Sequence, residues 1–213
     1  FRLGGCLFLS GLLIFQTVLP ANGDTGVGEI SCQDRLTSQC LVALALADVE
    51  VLEASYWKDL AYTAIASAQF EFGDIERARA NLRIASERVA SEGNGFNRAE
   101  VLIEISVVQS DIGDLDAAEA SIEQAVSIAD VITLPDWRYW ALSFVPRAKA
   151  KTCDFLDAKK TVEESLISVK LIGDIVARAS ASTHIASAQI EIGDPKGAMR
   201  TAERILQVVS KID

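Results

Sequence analysis

The sequence predicts an all-α fold: an α-solenoid of four helix-turn-helix repeats preceded by a capping helix. The first observation is a repeated phrase, since IASAQFEFGD at residues 65–74 returns as IASAQIEIGD at residues 185–194. The second is composition, because Ala, Ile, Leu, Glu and Arg are abundant while the 213 residues include only 4 prolines, a bias that favours helices. A fixed repeat period is typical of solenoids, in which each unit stacks on the next.

The N-terminus is interpreted as a secretory signal peptide, residues 1–23. Arg2 precedes an apolar run that ends at Leu19, and Ala21 and Gly23 are small residues at the −3 and −1 positions of a cleavage site. The apolar run is shorter than the roughly 20 residues that a membrane-spanning helix needs. We therefore expect an exported protein of the bacterial periplasm, with no membrane insertion after signal cleavage. The alternative is an uncleaved N-terminal membrane anchor.

The segment after the signal peptide is expected to be a flexible leader, residues 24–34, followed by a capping helix, residues 35–55. The capping helix has the sequence RLTSQCLVALALADVEVLEAS and would cover the open end of the first repeat, which otherwise exposes apolar surface. The residues expected to form the covering face are Leu41, Leu44, Ala45 and Val49.

Two cysteines lie near each other in this region. Export would place them in an oxidising compartment, and a disulfide between Cys32 and Cys40 would fasten the leader to the first helix. The alternative is that Cys40 is a small apolar residue facing the core. No metal site is expected, because the cysteine spacings match no zinc pattern and the chain has 1 His.

From Tyr56 onward the chain divides into rows with a period of 40 residues, without insertion or deletion. In each row, apolar residues at three- and four-residue steps mark a helix, and a two-residue signal ends it. Gly can adopt the left-handed conformation that closes a helix, and the following Asp can cap the next helix. The rows are residues 56–95, 96–135, 136–175 and 176–213, with Gly73-Asp74, Gly113-Asp114, Cys153-Asp154 and Gly193-Asp194 at the turns.

The third row departs from this pattern twice. Pro146 falls inside its first helix, where proline removes a hydrogen bond and is expected to kink the helix. Cys153 stands where the other rows have Gly. If that position is left-handed, a side chain there costs about 1–2 kcal/mol.

The order of an apolar residue, a small residue, a Gly-Asp turn and two alanines resembles the tetratricopeptide repeat (TPR) family. The matching residues are Ile65, Ala66, Gly73-Asp74, Ala78 and Ala85 in the first row, and Ile105, Ser106, Gly113-Asp114, Ala118 and Ala125 in the second. The resemblance covers residues 56–213 and implies a right-handed α-solenoid of TPR-like repeats. The period of 40 residues exceeds the family's usual value of about 34, so longer helices are expected.

The chain offers little that could act chemically. Its formal net charge of −10 disfavours nucleic acid or anionic lipid as a partner, since both require clustered Lys and Arg. The sequence has no GxxxxGK[ST], HExxH, GxSxG or CxxC motif, so the common nucleotide, metal, nucleophile and redox sites are not expected. The lone His184 is expected to be structural. We predict no catalytic activity and no cofactor.

The resemblance also implies that the first helices line a concave groove that binds a protein or peptide. The predicted groove residues are Leu60, Thr63, Ser67, Phe70, Ile103, Val107, Trp140, Arg147, Lys151, Thr183, Ser187 and Ile190. Among them Trp140 and Arg147 are the predicted hot spot, because Trp and Arg are enriched among residues that dominate binding energy. The alternative is that DWRYW, residues 136–140, packs between neighbouring repeats.

Two functional hypotheses follow. The first is an exported, non-catalytic scaffold that binds a protein or peptide segment in its groove. The second is a structural or assembly subunit of an envelope complex that associates through its C-terminal helix. Ile205, Leu206 and Val209 fill that helix, and no polar closing helix follows it. We therefore expect the C-terminal helix to pair with another copy of the chain or with a partner.

Overall fold

The structure is a computed structural model that describes residues 37–53 and 55–210, apart from the side chain of Val208. The predicted signal peptide, the predicted leader and Cys32 lie outside the described residues. Within the described ranges all regular secondary structure is helical. The predicted all-α class is therefore confirmed.

Ten α-helices and one short 3₁₀ helix are present in these ranges. Their bounds are α1 Ser38–Glu50, α2 Ser55–Glu71, α3 Ile75–Val89, α4 Gly95–Ile112, α5 Leu115–Asp130, α6 Pro135–Leu142, α7 Val145–Lys151, α8 Phe155–Ser168, the 3₁₀ helix Val169–Leu171, α9 Ile175–Glu191 and α10 Pro195–Val209. The helices form four hairpins: hairpin 1 is α2–α3, hairpin 2 is α4–α5, hairpin 3 is α6, α7 and α8, and hairpin 4 is α9–α10. Consecutive first helices pack on each other, α2 on α4, α4 on α7 and α7 on α9, so the predicted solenoid is confirmed.

The turns between the paired helices have the predicted left-handed residue. Gly73, Gly113 and Gly193 have φ angles of 80°, 95° and 79°, and Cys153 has a φ of 65°. A Cβ atom makes this conformation unfavourable, which explains the glycine in three of the hairpins. Hairpin 3 therefore has backbone strain at Cys153 that the other hairpins avoid.

The aspartates after these turns were predicted to cap the second helices, and three of the four do so. Asp74 accepts a hydrogen bond from the backbone N–H of Arg77 at 3.3 Å, and Asp154 and Asp194 make the equivalent bonds. The prediction is wrong for Asp114, whose side chain makes no cap bond. Its two carboxylate oxygens instead accept hydrogen bonds from Arg79 of α3, both at 2.8 Å.

The predicted interruption of the third row is confirmed, and it lies just before the proline. The helix stops at Leu142 and restarts at Val145, so that Pro146 lies in the first turn of α7. A proline costs no helical hydrogen bond at that position, because the first N–H groups of a helix have no partner within it. The break gives hairpin 3 two short first helices instead of one long one.

The capping helix uses a different face from the predicted one. Val49 is buried and Ala45 packs on the core, as expected, but Leu41 and Leu44 are 50% and 49% exposed. The covering face also includes Val42 and Leu46, which lie at the helical spacing that places them beside Ala45 and Val49. The outward turn of Leu41 and Leu44 leaves apolar side chains at this end of the solenoid.

A polar cross-link joins the two helices of each hairpin. In hairpins 1, 2 and 4 the side-chain oxygen of Gln69, Gln109 or Gln189 accepts a hydrogen bond of 2.7–2.8 Å from the second helix. The donors are Asn81, Ser121 and Thr201 respectively. In hairpin 3 the corresponding residue, Lys149, forms an ion pair with Asp157. The same position of the 40-residue period therefore joins the two helices in all four hairpins.

Buried apolar residues of the described chain form two clusters. The larger extends from Val49 to Ala148 and holds α1, hairpins 1 and 2 and the first half of hairpin 3. The smaller extends from Val162 to Ala188 and joins α8, the 3₁₀ helix and α9. Trp140 packs against both clusters. The core is therefore divided within hairpin 3.

Candidate functional site

The first helices of the four hairpins enclose a cleft of about 490 Å³. Its walls come from α2, α4, the α6–α7 junction, α7 and α9, so that each hairpin contributes. Residues one period apart meet here: Asp111 and Lys151 occupy the same position in neighbouring hairpins, and Lys151 Nζ lies 3.1 Å from Asp111 Oδ1. The cleft is lined by Leu60, Thr63, Ala64, Ser67, Glu100, Glu104, Val107, Val108, Asp111, Phe144, Arg147, Lys151, His184 and Glu191.

The cleft brings together half of the predicted groove residues, and the other half lie elsewhere. Those in the cleft are Leu60, Thr63, Ser67, Val107, Arg147 and Lys151. Phe70 and Ile103 belong instead to the larger core cluster, where Ile103 is 1% exposed. Thr183, Ser187 and Ile190 lie on α9 outside the cleft. Hairpin 2 shows the reason. One face of its first helix packs against the next hairpin, and residues on that face belong to the core and not to the groove.

Trp140 also lies outside the cleft. Its ring is 4.7 Å from that of Phe96 and 5.4 Å from that of Trp137, measured between centroids. Phe96 begins hairpin 2, so the aromatic group fills the contact between hairpins 2 and 3. The structure therefore agrees with the alternative in which residues 136–140 pack between repeats, and the hot spot of Trp140 and Arg147 stays a prediction.

Eight cleft residues were absent from the predicted set: Ala64, Glu100, Glu104, Val108, Asp111, Phe144, His184 and Glu191. Glu104 is one helical turn after Glu100 and could have been found from that spacing. Phe144 and His184 occupy the same position of the 40-residue period as Ala64 and Glu104, so this position lines the cleft in all four hairpins. His184 packs on Phe144, with ring centroids 4.1 Å apart.

The charges of the cleft are unbalanced toward negative. Arg147 Nη1 lies 3.2 Å from Glu104 Oε1, and Lys151 pairs with Asp111. Glu100 and Glu191 have no ion-pair partner within the described ranges, although Glu100 accepts a 2.7 Å hydrogen bond from Tyr56 Oη. Burial raises the pKa of Glu100, and the hydrogen bond from Tyr56 acts in the opposite direction.

His184 is neutral at physiological pH. Burial, followed by the nearby charge of Arg147, lowers the pKa of its imidazole to about 4. The neutral ring and Phe144 together form an apolar platform between the acidic residues of α4 and those of α9. The cleft can therefore accept an apolar group on this platform and a cation at its edges.

One segment of the chain matches a known protein family. Residues 99–131 match the family model described as tetratricopeptide repeat, and this segment coincides with hairpin 2 from Ala99 onward. In this segment the chain is similar to the tetratricopeptide-repeat family. The other three hairpins follow hairpin 2 in the same 40-residue register.

Two solved structures resemble the chain over most of its length. Both come from Podosopora anserina and are described as a kinesin light chain with nearly identical TPR-like repeats. The first, a single-substitution form, has a TM-score of 0.49 and 16% identity, covering 82% of this chain and 85% of that chain. The second has a TM-score of 0.47 and 16% identity, covering 82% and 86%. A comparison with curated proteins gives no match.

Two kinds of feature are absent from the described residues. None of their helices has both the length and the apolar character that crossing a membrane requires. No group of three or more His, Cys, Asp or Glu side chains there is arranged to hold a metal ion. The cleft is the feature of these residues that combines depth, unpaired charge and contributions from all four hairpins.

Proposed function

We propose that the chain is a non-catalytic tetratricopeptide-repeat scaffold that binds a segment of a partner protein in the cleft. Tetratricopeptide repeats generally mediate protein–protein interaction. The observation that carries the proposal is the pairing pattern of the cleft: both of its cations are already neutralised, while Glu100 and Glu191 have no cation partner among the described residues. A binding partner with positive charge would supply the missing counter-ions.

The chemistry of the cleft favours a basic and apolar peptide. Its volume lies within the range of about 300–1,000 Å³ that is usual for ligand pockets. An aliphatic side chain would lie on the platform of His184 and Phe144, and a Lys or Arg side chain would reach Glu100 or Glu191. Because Glu100 is partly desolvated, a cation placed beside it gains more than it would at an open surface.

Catalysis is not supported by the contacts of the imidazole. Ser180 Oγ lies 3.5 Å from His184 Nε2, at the limit of a hydrogen bond. Among the described residues no carboxylate contacts His184, so the group that orients a catalytic imidazole is lacking. A pKa of about 4 would also make it a weak general base at neutral pH.

The test is binding of matched peptide pools by fluorescence anisotropy. One pool alternates Leu or Ile with Lys or Arg, and the other replaces the basic residues by Glu. We expect binding of the basic pool alone, and at least about a fivefold loss of affinity in the Glu100→Gln/Glu191→Gln variant. The control Glu119→Gln/Glu163→Gln changes the net charge equally at exposed positions. Equal loss in the control, or equal binding of both pools, would rule out the proposal.

A second candidate function, assembly through α10, is favoured by its exposed face. Met199, Leu206 and Val209 are 64%, 69% and 42% exposed. Val89 and Ala129, which precede Val209 by whole periods, are each 1% exposed, because the next hairpin covers them. We infer that a second copy of the chain or a partner subunit covers α10 in the same way.

Sedimentation velocity distinguishes the two functions. If α10 mediates assembly, Leu206→Glu should dissociate a complex that the cleft variant Glu100→Gln/Glu191→Gln leaves intact. A wild-type chain that stays monomeric at all concentrations would contradict self-association. Removal of residues 200–213 is a coarser form of the same test.

Export to the periplasm is also a proposal, supported by the signal-like residues 1–23. N-terminal sequencing of the protein from fractionated cells should find a chain that starts after Gly23. An intact N-terminus in the membrane fraction would favour the anchored alternative. Non-reducing mass mapping of the same sample tests the disulfide between Cys32 and Cys40.

A further inference from the structure

A second pocket lies away from the cleft, where α8, α9 and α10 meet. It encloses about 280 Å³. We call it the cationic pocket, because its rim has three basic residues and no acidic one: Lys170, Arg178 and Arg204. Its floor is apolar and includes Leu166, Val169 and Ile205. The pocket joins an uncompensated positive rim to an apolar floor in a chain whose net charge is −10.

The three cations have no ion-pair partner in the part of the chain that the structure describes. The Nε atom of Arg178 is buried and has no hydrogen-bond partner. Asp136 is near enough for its pKa to be affected by Arg178, after the larger effect of two backbone hydrogen bonds. Its oxygens accept those bonds from the N–H groups of Gly173 and Asp174 at 3.0 and 3.1 Å. Asp136 therefore stabilises the loop before α9 and does not form an ion pair with Arg178.

The pocket is open because two side chains of α9 are small. Ala179 and Ser182 line it, whereas the residues one period earlier are Tyr139 and Leu142. Tyr139 packs against the smaller core cluster and Leu142 against the larger one. The small side chains at these two positions leave room in the pocket. An unfilled apolar volume costs stability unless a ligand occupies it.

We propose that the cationic pocket binds a carboxylate carried by a short apolar chain. The carboxylate would accept hydrogen bonds from Arg178 and from Arg204 or Lys170, since guanidinium groups pair well with carboxylates. The apolar chain would cover Leu166 and Ile205. At about 30 Å³ for a group the size of a water molecule, the pocket holds about nine non-hydrogen atoms. A medium-chain fatty acid has this chemistry, and so does a glutamate flanked by leucines in a peptide.

Isothermal titration calorimetry on the full purified chain tests the proposal with four probes. These are octanoate, 1-octanol, octyltrimethylammonium and the capped peptide acetyl-Leu-Glu-Leu-amide. We expect 1:1 binding of octanoate, of the peptide, or of both, and weaker binding of the alcohol and the cation. Octanoate alone would identify a free small acid as the ligand, and the peptide alone would identify an acidic segment of a partner. Binding of neither carboxylate, or equal binding of octanol, would overturn the proposal.

The variants separate the role of charge from that of volume. Lys170→Gln/Arg204→Gln changes two exposed side chains and should weaken carboxylate binding about tenfold. The control Lys159→Gln/Lys196→Gln removes two exposed, unpaired charges and should have no effect. Ala179→Leu fills the pocket and should abolish binding, and the charge variant still decides the question if Ala179→Leu fails to fold. Equal loss in the control would refute the site.

This proposal is independent of the cleft. The variant Glu100→Gln/Glu191→Gln should lose peptide binding in the cleft and keep octanoate binding in the cationic pocket. A cleft variant that loses both activities would show that the two surfaces are one site or that the variant is misfolded, and its circular dichroism spectrum and melting temperature distinguish these outcomes.

Discussion

The guanidinium of Arg79 and the carboxylate of Asp114 form a bidentate pair, with both N–O distances at 2.8 Å. Arg79 lies on the second helix of hairpin 1, and Asp114 lies in the turn of hairpin 2. The pair therefore joins neighbouring hairpins on the side of the solenoid away from the cleft. It takes the carboxylate that would otherwise have capped α5, which shows that contact between hairpins outweighs the local cap at this turn.

Arg79→Met is expected to lower the urea midpoint of unfolding slightly, because the pair is bidentate but partly exposed. Arg79 holds the pKa of Asp114 below its usual value. This contribution is present above the pKa of the unfolded state and is lost as pH falls through the folded-state pKa. Urea unfolding at pH 7 and at pH 3 measures it. The control Arg83→Met removes an exposed pair with Glu87 and should cost less; equal costs would contradict a special role for Arg79.

Gln69→Met is expected to cost about 1–3 kcal/mol, because it leaves the buried amide of Asn81 without its 2.7 Å partner. Asn81→Leu alone should have a similar effect. The double variant should cost less than the sum of the single variants, since no unpaired polar group remains. Chemical denaturation of all four proteins gives the coupling energy. Strict additivity would show that the cross-link contributes nothing.

Substitutions at Cys153 should reveal the strain of its left-handed backbone. Cys153→Gly and Cys153→Ala both remove the sulfur atom and its contacts, so their difference reports the backbone alone. The glycine variant should be more stable by about 1–2 kcal/mol. Gly113→Ala makes the opposite change in hairpin 2 and should destabilise the chain by a similar amount. No atom lies within 4 Å of the new Cβ, so this cost comes from the left-handed backbone alone. Thermal unfolding of the two variants at position 153 should separate their melting temperatures by several degrees.

His184→Asn should flatten the dependence of stability on pH. Because the pKa of His184 is lowered to about 4 from an unfolded value of about 6.5, the unfolded chain binds more protons between these values. Stability therefore falls as pH drops from about 6.5 to about 4, by about 2 kcal/mol for this group. The difference between wild type and variant cancels the titration of the carboxylates. A parallel pair of curves over this range would contradict the assignment.

Trp140→Ala is expected to destabilise the chain by about 3 kcal/mol, because the ring fills the contact between hairpins 2 and 3. Trp137→Ala should cost less, since that side chain is 42% exposed. Peptide binding measured on the folded fraction should be unchanged in both variants. If Trp140→Ala instead keeps full stability and loses peptide binding, Trp140 belongs to the binding surface after all.

Most of the helices and turns could be predicted from the period of 40 residues. The glycine positions are set by local backbone geometry, which depends little on the rest of the chain, so Gly73, Gly113 and Gly193 could be placed from sequence. The repeat of Gln69, Gln109 and Gln189 is visible in the sequence, but their role as cross-links between helices is not. It depends on which residue of the second helix faces each Gln, and that follows from packing.

The candidate site was harder to predict for a related reason. The groove assignment treated equivalent positions in each row as equivalent in space, and this holds for Val107 and Arg147, which both line the cleft. It fails for Trp140 because the helix breaks between Leu142 and Val145, so residues before the break follow a different helical phase. It also fails for Thr183 and Ser187, because no further hairpin stacks on α9 within the described residues.

Because the core is divided within hairpin 3, we expect the solenoid to bend at this hairpin. Its first helix is broken, its turn has a strained Cys153, and its cross-link is the ion pair of Lys149 with Asp157, which salt weakens. Neighbouring repeats of a linear array hold only each other, so the angle between the N-terminal and C-terminal halves is set by this hairpin alone. We therefore expect the width of the cleft to depend on hairpin 3, which contacts both core clusters. A peptide bound in the cleft would fix this hairpin and so stiffen the whole superhelix.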